Sequence, residues 1–117
     1  GIQWMIADSA MELYQCKLMV LHAAYKIDRG DDFRTEVSMA KHFVANSLNR
    51  IIDRAIQVHG ALGYSTDTPL ASMFQHARWA RFADGADEIH QMRIAENTIK
   101  AFTSHGSTRT ATGDLPV

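Results

Sequence analysis

Residues 2–29 hold neither glycine nor proline, and their polar members Asp8, Glu12, Gln15, His22, Lys26 and Arg29 recur along one stripe, with Met19 filling its gap. A narrow polar line on an otherwise apolar cylinder predicts a long helix buried on most of its sides. At 1.5 Å per residue it would run about 40 Å. Arg29-Gly30-Asp31-Asp32 closes it with a cation in the last turn, a capping glycine and two acidic candidates to start the next helix. From about Phe33 to Val58, a second stripe of Val37, Ala40, Val44, Leu48, Ile51, Ala55 and Val58 repeats every three or four residues, widened by Phe43, Ile52 and Ile56. Arg34, Lys41, Asn46, Asn49, Asp53 and Gln57 line its other side. This second long amphipathic helix is expected to stop at Gly60 or Gly63.

Ser65-Thr66-Asp67-Thr68 is an N-cap cluster, and Pro69 suits a first helical position, so a short third helix is predicted with Leu70, Met73, Phe74 and Ala77 on its apolar face. A fourth begins near Gly85 and carries Ile89, Met92, Ala95, Ile99 and Phe102. No strand-like alternation and no internal repeat stand out. Four helices joined by short connections predict an all-α fold, an antiparallel up-and-down four-helix bundle over residues 1–103. Residues 104–117 turn to Ser, Thr, Gly, Asp and Pro without periodicity and are expected to form a flexible tail.

At 117 residues, 46% apolar and 21% charged, the chain has the composition of one ordinary globular domain. Its net charge of −1 gives no general attraction to nucleic acid or to an anionic membrane. No apolar run nears the roughly 18–20 residues of a spanning helix, so no transmembrane segment is expected. No signal peptide stands at the start. Gly1-Ile2-Gln3-Trp4-Met5 is an unusual native opening and suggests a fragment or a trimmed chain.

The single cysteine, Cys16, lies in an apolar helical pattern, which excludes a disulfide framework and fits a buried small hydrophobe in a reducing compartment. The six histidines, at 22, 42, 59, 76, 90 and 105, show no metal-ligand spacing, and no metal is expected. The methionines are expected to fill the core, and Trp4 and Trp79 to anchor a core or an interface. Lys41 with Arg50 and Arg54, and Arg78 with Arg81, are expected on solvated faces or at partner contacts.

Two turns carry candidate chemistry. In Trp79-Ala-Arg-Phe-Ala-Asp84-Gly85-Ala-Asp-Glu-Ile-His90, a carboxylate stands beside a glycine just ahead of a helix. Asp84 could be a plain N-cap, with Asp87 and Glu88 complementing the helix dipole. It could equally be a base held near a carbon acid. In Gln57-Val-His-Gly60-Ala-Leu-Gly63-Tyr64, glycines end a long helix. They could be C-caps, or backbone that presents amides to a phosphate with Gln57 as a neutral donor. No strand precedes this turn and no Walker lysine follows it, so neither a Rossmann nor a P-loop signature is present.

Taken in their order and helical context, the two turns resemble the C-terminal helical domain of acyl-CoA dehydrogenases, along nearly the whole chain from about Gln3 to Phe102. Phe82-Ala-Asp84-Gly85-Ala-Asp87-Glu88-Ile89-His90 is most similar to a branch with Ala-Asp-Gly-Pro-Asp-Glu-Val-His. The resemblance implies an FAD-dependent oxidoreductase of fatty acid metabolism, which converts acyl-CoA thioesters to trans-2-enoyl-CoA. Asp84 would be the catalytic base and Gly85 a backbone contact to the substrate carbonyl. Gln57, Gly60, Ala61, Ala86 and Glu88 would contact FAD, the first three across a subunit interface.

The same resemblance implies a homodimer or homotetramer, and an electron-transferring flavoprotein as acceptor. It also implies an intracellular location, cytoplasmic in a bacterium and mitochondrial or peroxisomal in a eukaryote. Most members carry Glu at the Asp84 position, Gly at Ala61, Thr at Ala86 and Gln at Glu88. Gln75-His76-Ala77-Arg78 stands where Arg-Asp-Ala-Arg/Lys is usual. Nitroalkane oxidases, similar in fold, also use Asp as base. A flavin oxidase acting on nitroalkanes or acyl-CoA is therefore one alternative. A non-catalytic helical oligomerisation module, with both turns as caps, is the other. The family's N-terminal and middle domains are absent, so the chain alone is expected to be inactive.

Overall fold

Ile2–Asp28 forms α1 without a break, as its lack of glycine and proline requires. It ends where the amide of Asp31 reaches Lys26 O and that of Gly30 reaches Ile27 O, with Gly30 at φ +74°. This is a Schellman closure, and glycine supplies its left-handed residue without a Cβ penalty. The computed structural model describes residues 1–106. After α1 come α2 (Arg34–His59), the single turn α3 (Ala61–Tyr64), α4 (Leu70–Trp79) and α5 (Asp87–His105). α2 stops at Gly60, whose φ is +61°. Thr68 Oγ1 accepts from the amide of Leu70 as α4 begins. α5 runs two residues into the segment expected as tail and stops at Gly106, whose amide bonds Phe102 O. The rest of the expected tail, residues 107–117, lies outside the described residues.

The all-α class stands, and all the described regular structure is helical. α2 is the axis. α1 and α5 pack on it and on no other described helix, and α4 packs on it and on α3. The polar ties set the directions. Glu12 meets Arg54 while Lys26 meets Glu36, so α1 runs antiparallel to α2. Ala77 O accepts from Asn49, Asp87 from Asn46 and Thr35 from Asn97, so α4 and α5 follow one another along α2, both antiparallel to it. Each covers part of α2, since α4 is only 10 residues long. Small residues make the close contacts: Ala40, Ala45 and Ala77 are buried, and Ser47 is fully so. At the α2–α3 corner, a Cβ on Gly63 would stand 2.7 Å from Ile56 O, so only glycine lets α3 fold back onto α2.

The face that α1 turns inward reverses the expectation. Its sheltered positions are Met5, Ser9, Glu12, Cys16, Met19, His22, Ala23 and Lys26. Polar members of the stripe therefore face α2, and Cys16 is buried as expected. Glu12 accepts from Arg50 Nε at 2.7 Å and Arg54 Nη1 at 2.9 Å. The Arg54 bond, opposed by burial and reinforced by Arg50, holds the Glu12 carboxyl below its ordinary range. Trp4, Ile6, Met11, Leu13, Tyr14, Leu18 and Leu21 are exposed, Trp4 at 71%. The helix is not buried on most sides because this chain offers it a single neighbour. For the same reason Trp79, Met73 and Met92 lie on the surface, not in a core.

Lys26 Nζ lies 2.8 Å from Glu36 Oε1, and both side chains are buried where α1 turns into α2. Removing one partner strands a buried charge, a loss of about 3–5 kcal/mol. Lys26→Met is therefore expected to lower the urea-unfolding free energy by about 3 kcal/mol. Lys26→Met/Glu36→Leu is expected to recover most of that loss. A double variant no better than the single one would contradict this.

Candidate functional site

The chain between α4 and α5 has little regular structure to hold it, so its shape depends on where its backbone and side-chain polar groups find partners. The amides of Phe82 and Ala83 both reach back to Trp79 O, closing the end of α4. Asp84 follows at φ +54° and Gly85 at φ +100°. Asp84 is the only non-glycine residue with positive φ among the described residues. Aspartate tolerates this conformation better than most residues, but it still needs surroundings that fix it. Ala86 then returns to extended backbone as the N-cap residue, and α5 begins at Asp87. Asp84 is therefore two residues too early to cap α5, and no side chain caps it. The carboxylate is exposed and makes no hydrogen bond or ion pair among the described residues.

Beneath the turn lies a buried carboxylate, Asp87, only 6% exposed. Arg81 Nε donates to its Oδ2 at 2.7 Å and Asn46 Nδ2 at 3.2 Å. His42 Nδ1 stands 3.4 Å from Oδ1, near enough to attract it when protonated but off the hydrogen-bonding direction. The amide of Asp87 also closes on Arg81 O, which ties the two ends of the loop together. Burial pushes the Asp87 carboxyl up; the bonds from Arg81 and Asn46 outweigh it, and the group rests below its ordinary range.

Two more contacts come from below. Lys41 Nζ donates to Ala80 O and, at 3.3 Å, to Gly85 O. The His90 ring is buried one turn into α5, and neither of its nitrogens has a hydrogen-bond partner. A Cβ on Gly85 would lie 2.9 Å from His90 Nε2, so ring and positive φ both demand glycine there.

The residues expected to share a site fall into two groups. Asp84, Gly85, Ala86 and Glu88 come together around the start of α5, with Asp84 and Glu88 exposed and Gly85 and Ala86 half-buried. Gln57, Gly60 and Ala61 sit at the far end of α2, all exposed. From Lys41 and Asn46 to Gln57, α2 rises roughly 16–24 Å, so the chain does not join the two groups itself. The Gln57 side-chain amide makes no hydrogen bond among the described residues. A side chain at Gly60 would meet nothing within 4 Å. That end of α2 therefore presents the exposed Gln57 amide as a neutral donor, while the amides of Gly60 and Gly63 are engaged within the chain.

Of the cations expected on solvated faces or at partner contacts, Arg50 and Arg78 are exposed, and Lys41, Arg54 and Arg81 are half-buried. Lys41 and Arg81 hold the turn, Arg50 and Arg54 bind Glu12, and Arg78 lies 4.6 Å from the centre of the Phe82 ring. Lys41, His42, Asn46 and Asn49 fall at helical spacing, and that was the available signal for a polar row serving one neighbour.

A family model described as "Acyl-CoA dehydrogenase, C-terminal domain" matches residues 1–99. The 3-(aryl)acrylate reductase of Clostridium sporogenes is 38% identical over 100 residues, which are 86% of this chain and 26% of that protein. Acyl-CoA dehydrogenase family member 10 of Mus musculus is 43% identical over 97 residues, 81% of this chain and 9% of that one. A solved Mycobacterium abscessus protein assigned to the acyl-CoA dehydrogenases superposes with a TM-score of 0.83 at 37% identity, covering 86% of this chain and 25% of its own. The chain thus spans about a quarter or less of these relatives. Among its described residues no helix is long and apolar enough to cross a membrane.

Because its folded-state affinity for a proton is lowered, Asp87 lends stability above its ordinary pKa of 3.8 and loses it as the pH falls through its lower folded value. Asp87→Asn is expected to be less stable than the wild type near neutrality. The gap in urea midpoint should close as the pH drops from about 6 to about 3. A gap independent of pH would show that the ionised carboxylate is not what holds the turn.

Proposed function

The chain belongs to the acyl-CoA dehydrogenase family, as its C-terminal domain, and from that we propose that Asp84 is the base of a flavin-dependent reaction at the α-carbon of an acyl-CoA thioester. The observation that carries this reading is an exposed carboxylate with no partner, on a left-handed residue that a buried network fixes from below. A cap or a surface ion pair needs no such support. Strained backbone of this kind concentrates where a side chain must be aimed.

In the forward direction, Asp84 takes the α-proton as the β-hydrogen departs with its electron pair, leaving a trans-2-enoyl thioester. FAD, when bound, supplies the acceptor for that hydride. The Gly85 amide, whose conformation no side chain obstructs, is the donor offered to the thioester carbonyl, where negative charge builds as the α-proton leaves. Ala86 and Glu88, on the same turn, would contact FAD when it is bound. Gln57, Gly60 and Ala61, at the far end of α2, would hold the adenosine-diphosphate half of FAD, supplied to a neighbouring subunit. Electrons then pass to an electron-transferring flavoprotein. The name of the Clostridium sporogenes relative refers to a reductase, so the same base would act as acid in the opposite direction.

The uncovered apolar sides of α1 and α5 support a homo-oligomeric assembly with further domains against them, because a lone soluble chain rarely leaves so much apolar surface bare. The same sides would serve a purely structural module. The aimed, unpartnered Asp84 favours the enzyme over that reading.

In a flavoprotein carrying this domain, Asp84→Asn is expected to retain FAD and lose at least about a thousandfold in turnover of a saturated acyl-CoA, by dye reduction. A rate within about threefold of the wild type would remove Asp84 from the role. The 117-residue chain by itself is expected to give no dye reduction with acyl-CoA and added FAD, and turnover by it would overturn the division of labour proposed here.

A further inference from the structure

The geometry points to Lys41 as a positioning residue that holds the Asp84 turn in its left-handed form, and so aims the carboxylate proposed above as base. It rests on that reading. Asp84 has no side-chain partner among the described residues, so its direction depends chiefly on its backbone. That backbone is flanked by the carbonyls of Ala80 and Gly85, which open and close the loop, and a single ammonium bridges them. No carboxylate pairs with Lys41 in the described structure, and its place on α2 is half-buried. An unpaired, sheltered cation is costly to keep unless its bonds have a use. These bonds tie together the two ends of the segment that contains the positive-φ residue.

The other supports do not reach the carbonyl of Gly85. Asp87 and Arg81 close the loop at 81–87, and Asn49 holds the last turn of α4. Among the described residues, only Lys41 donates to the carbonyl of Gly85, next to Asp84. An arginine would retain the charge and several donors, although its planar fork differs from a compact ammonium. A methionine would retain the shape and lose both bonds.

Three variants in the complete flavoprotein test this: Lys41→Met, Lys41→Arg, and Asn49→Ser as a control that loosens α4 without touching the turn. Lys41→Met is expected to lower kcat at least about tenfold, with KM for the acyl-CoA and the FAD content within about twofold of the wild type. Lys41→Arg is expected to recover most of the loss, and Asn49→Ser to leave kcat within about twofold.

The second readout is independent of activity. In the 117-residue chain, the strong intraresidue amide–Hα NOE of a positive φ at Asp84 is expected in the wild type and Asn49→Ser, and weakened in Lys41→Met. If that NOE is unchanged in Lys41→Met, the inference is overturned whatever the rate. Should Lys41→Met fail to fold, Lys41→Gln, which is too short to bridge both carbonyls, decides: a weakened NOE with a lowered kcat supports the clamp, and a wild-type NOE overturns it. A loosened turn with undiminished kcat contradicts the aiming role. In that case a full loss in Asp84→Asn would still leave the base assignment intact.

Discussion

A carboxylate that is 94% buried has to be answered by charge and hydrogen bonds, and in this chain that requirement organises the region around the α4–α5 turn. Asp87 is answered by Arg81 from the loop and Asn46 from α2, so the first residue of α5, the end of α4 and the central helix are locked together at one point. With the ends of the loop fixed, the five residues between Arg81 and Asp87 must spend their length in a tight reversal, and positive φ at Asp84 and Gly85 is how they do it. His90 fills the space under that reversal and excludes any Cβ from position 85. The exposed carboxylate of Asp84 is the consequence: it is the part of the turn left outward when the loop ends are tied beneath it.

The helices were legible because their signals are local. A glycine-free run of apolar and polar residues at helical spacing, closed by Arg29-Gly30, has few other ways to fold, and the observed Schellman closure uses those residues. The one-turn α3 was not legible. Its existence depends on Gly63 approaching Ile56 closely, a tertiary contact that two spaced glycines do not announce. The end of α5 fell later than composition suggested, because Gly106 and not the serine-threonine content sets the stop.

The inward face of α1 was read the wrong way round for a related reason. Periodicity reports two unlike faces and not which one meets a given neighbour. Glu12 and Lys26 face α2 because α2 carries Arg50, Arg54 and Glu36 opposite them, and that pairing exists only once the two helices are aligned. The site was half legible. Asp84 and Gly85 stood out by type and order, whereas Lys41, His42 and Asn46 gained meaning only when α5 came to rest against α2. The bare side of α1, with Trp4 and Leu21 outward, is what supports the proposed assembly.

The account turns on one carboxyl group removing a proton from carbon, and isotope exchange reads that event directly. A flavoprotein carrying this domain would be incubated in deuterium oxide with a saturated acyl-CoA and no electron acceptor, and the recovered thioester analysed by mass spectrometry. The account predicts deuterium at the α-carbon with the wild-type protein and none above background when Asp84 is replaced by Asn with its flavin still bound. Equal α-deuteration by both proteins would contradict it, and would leave the turn as a well-supported corner between two helices.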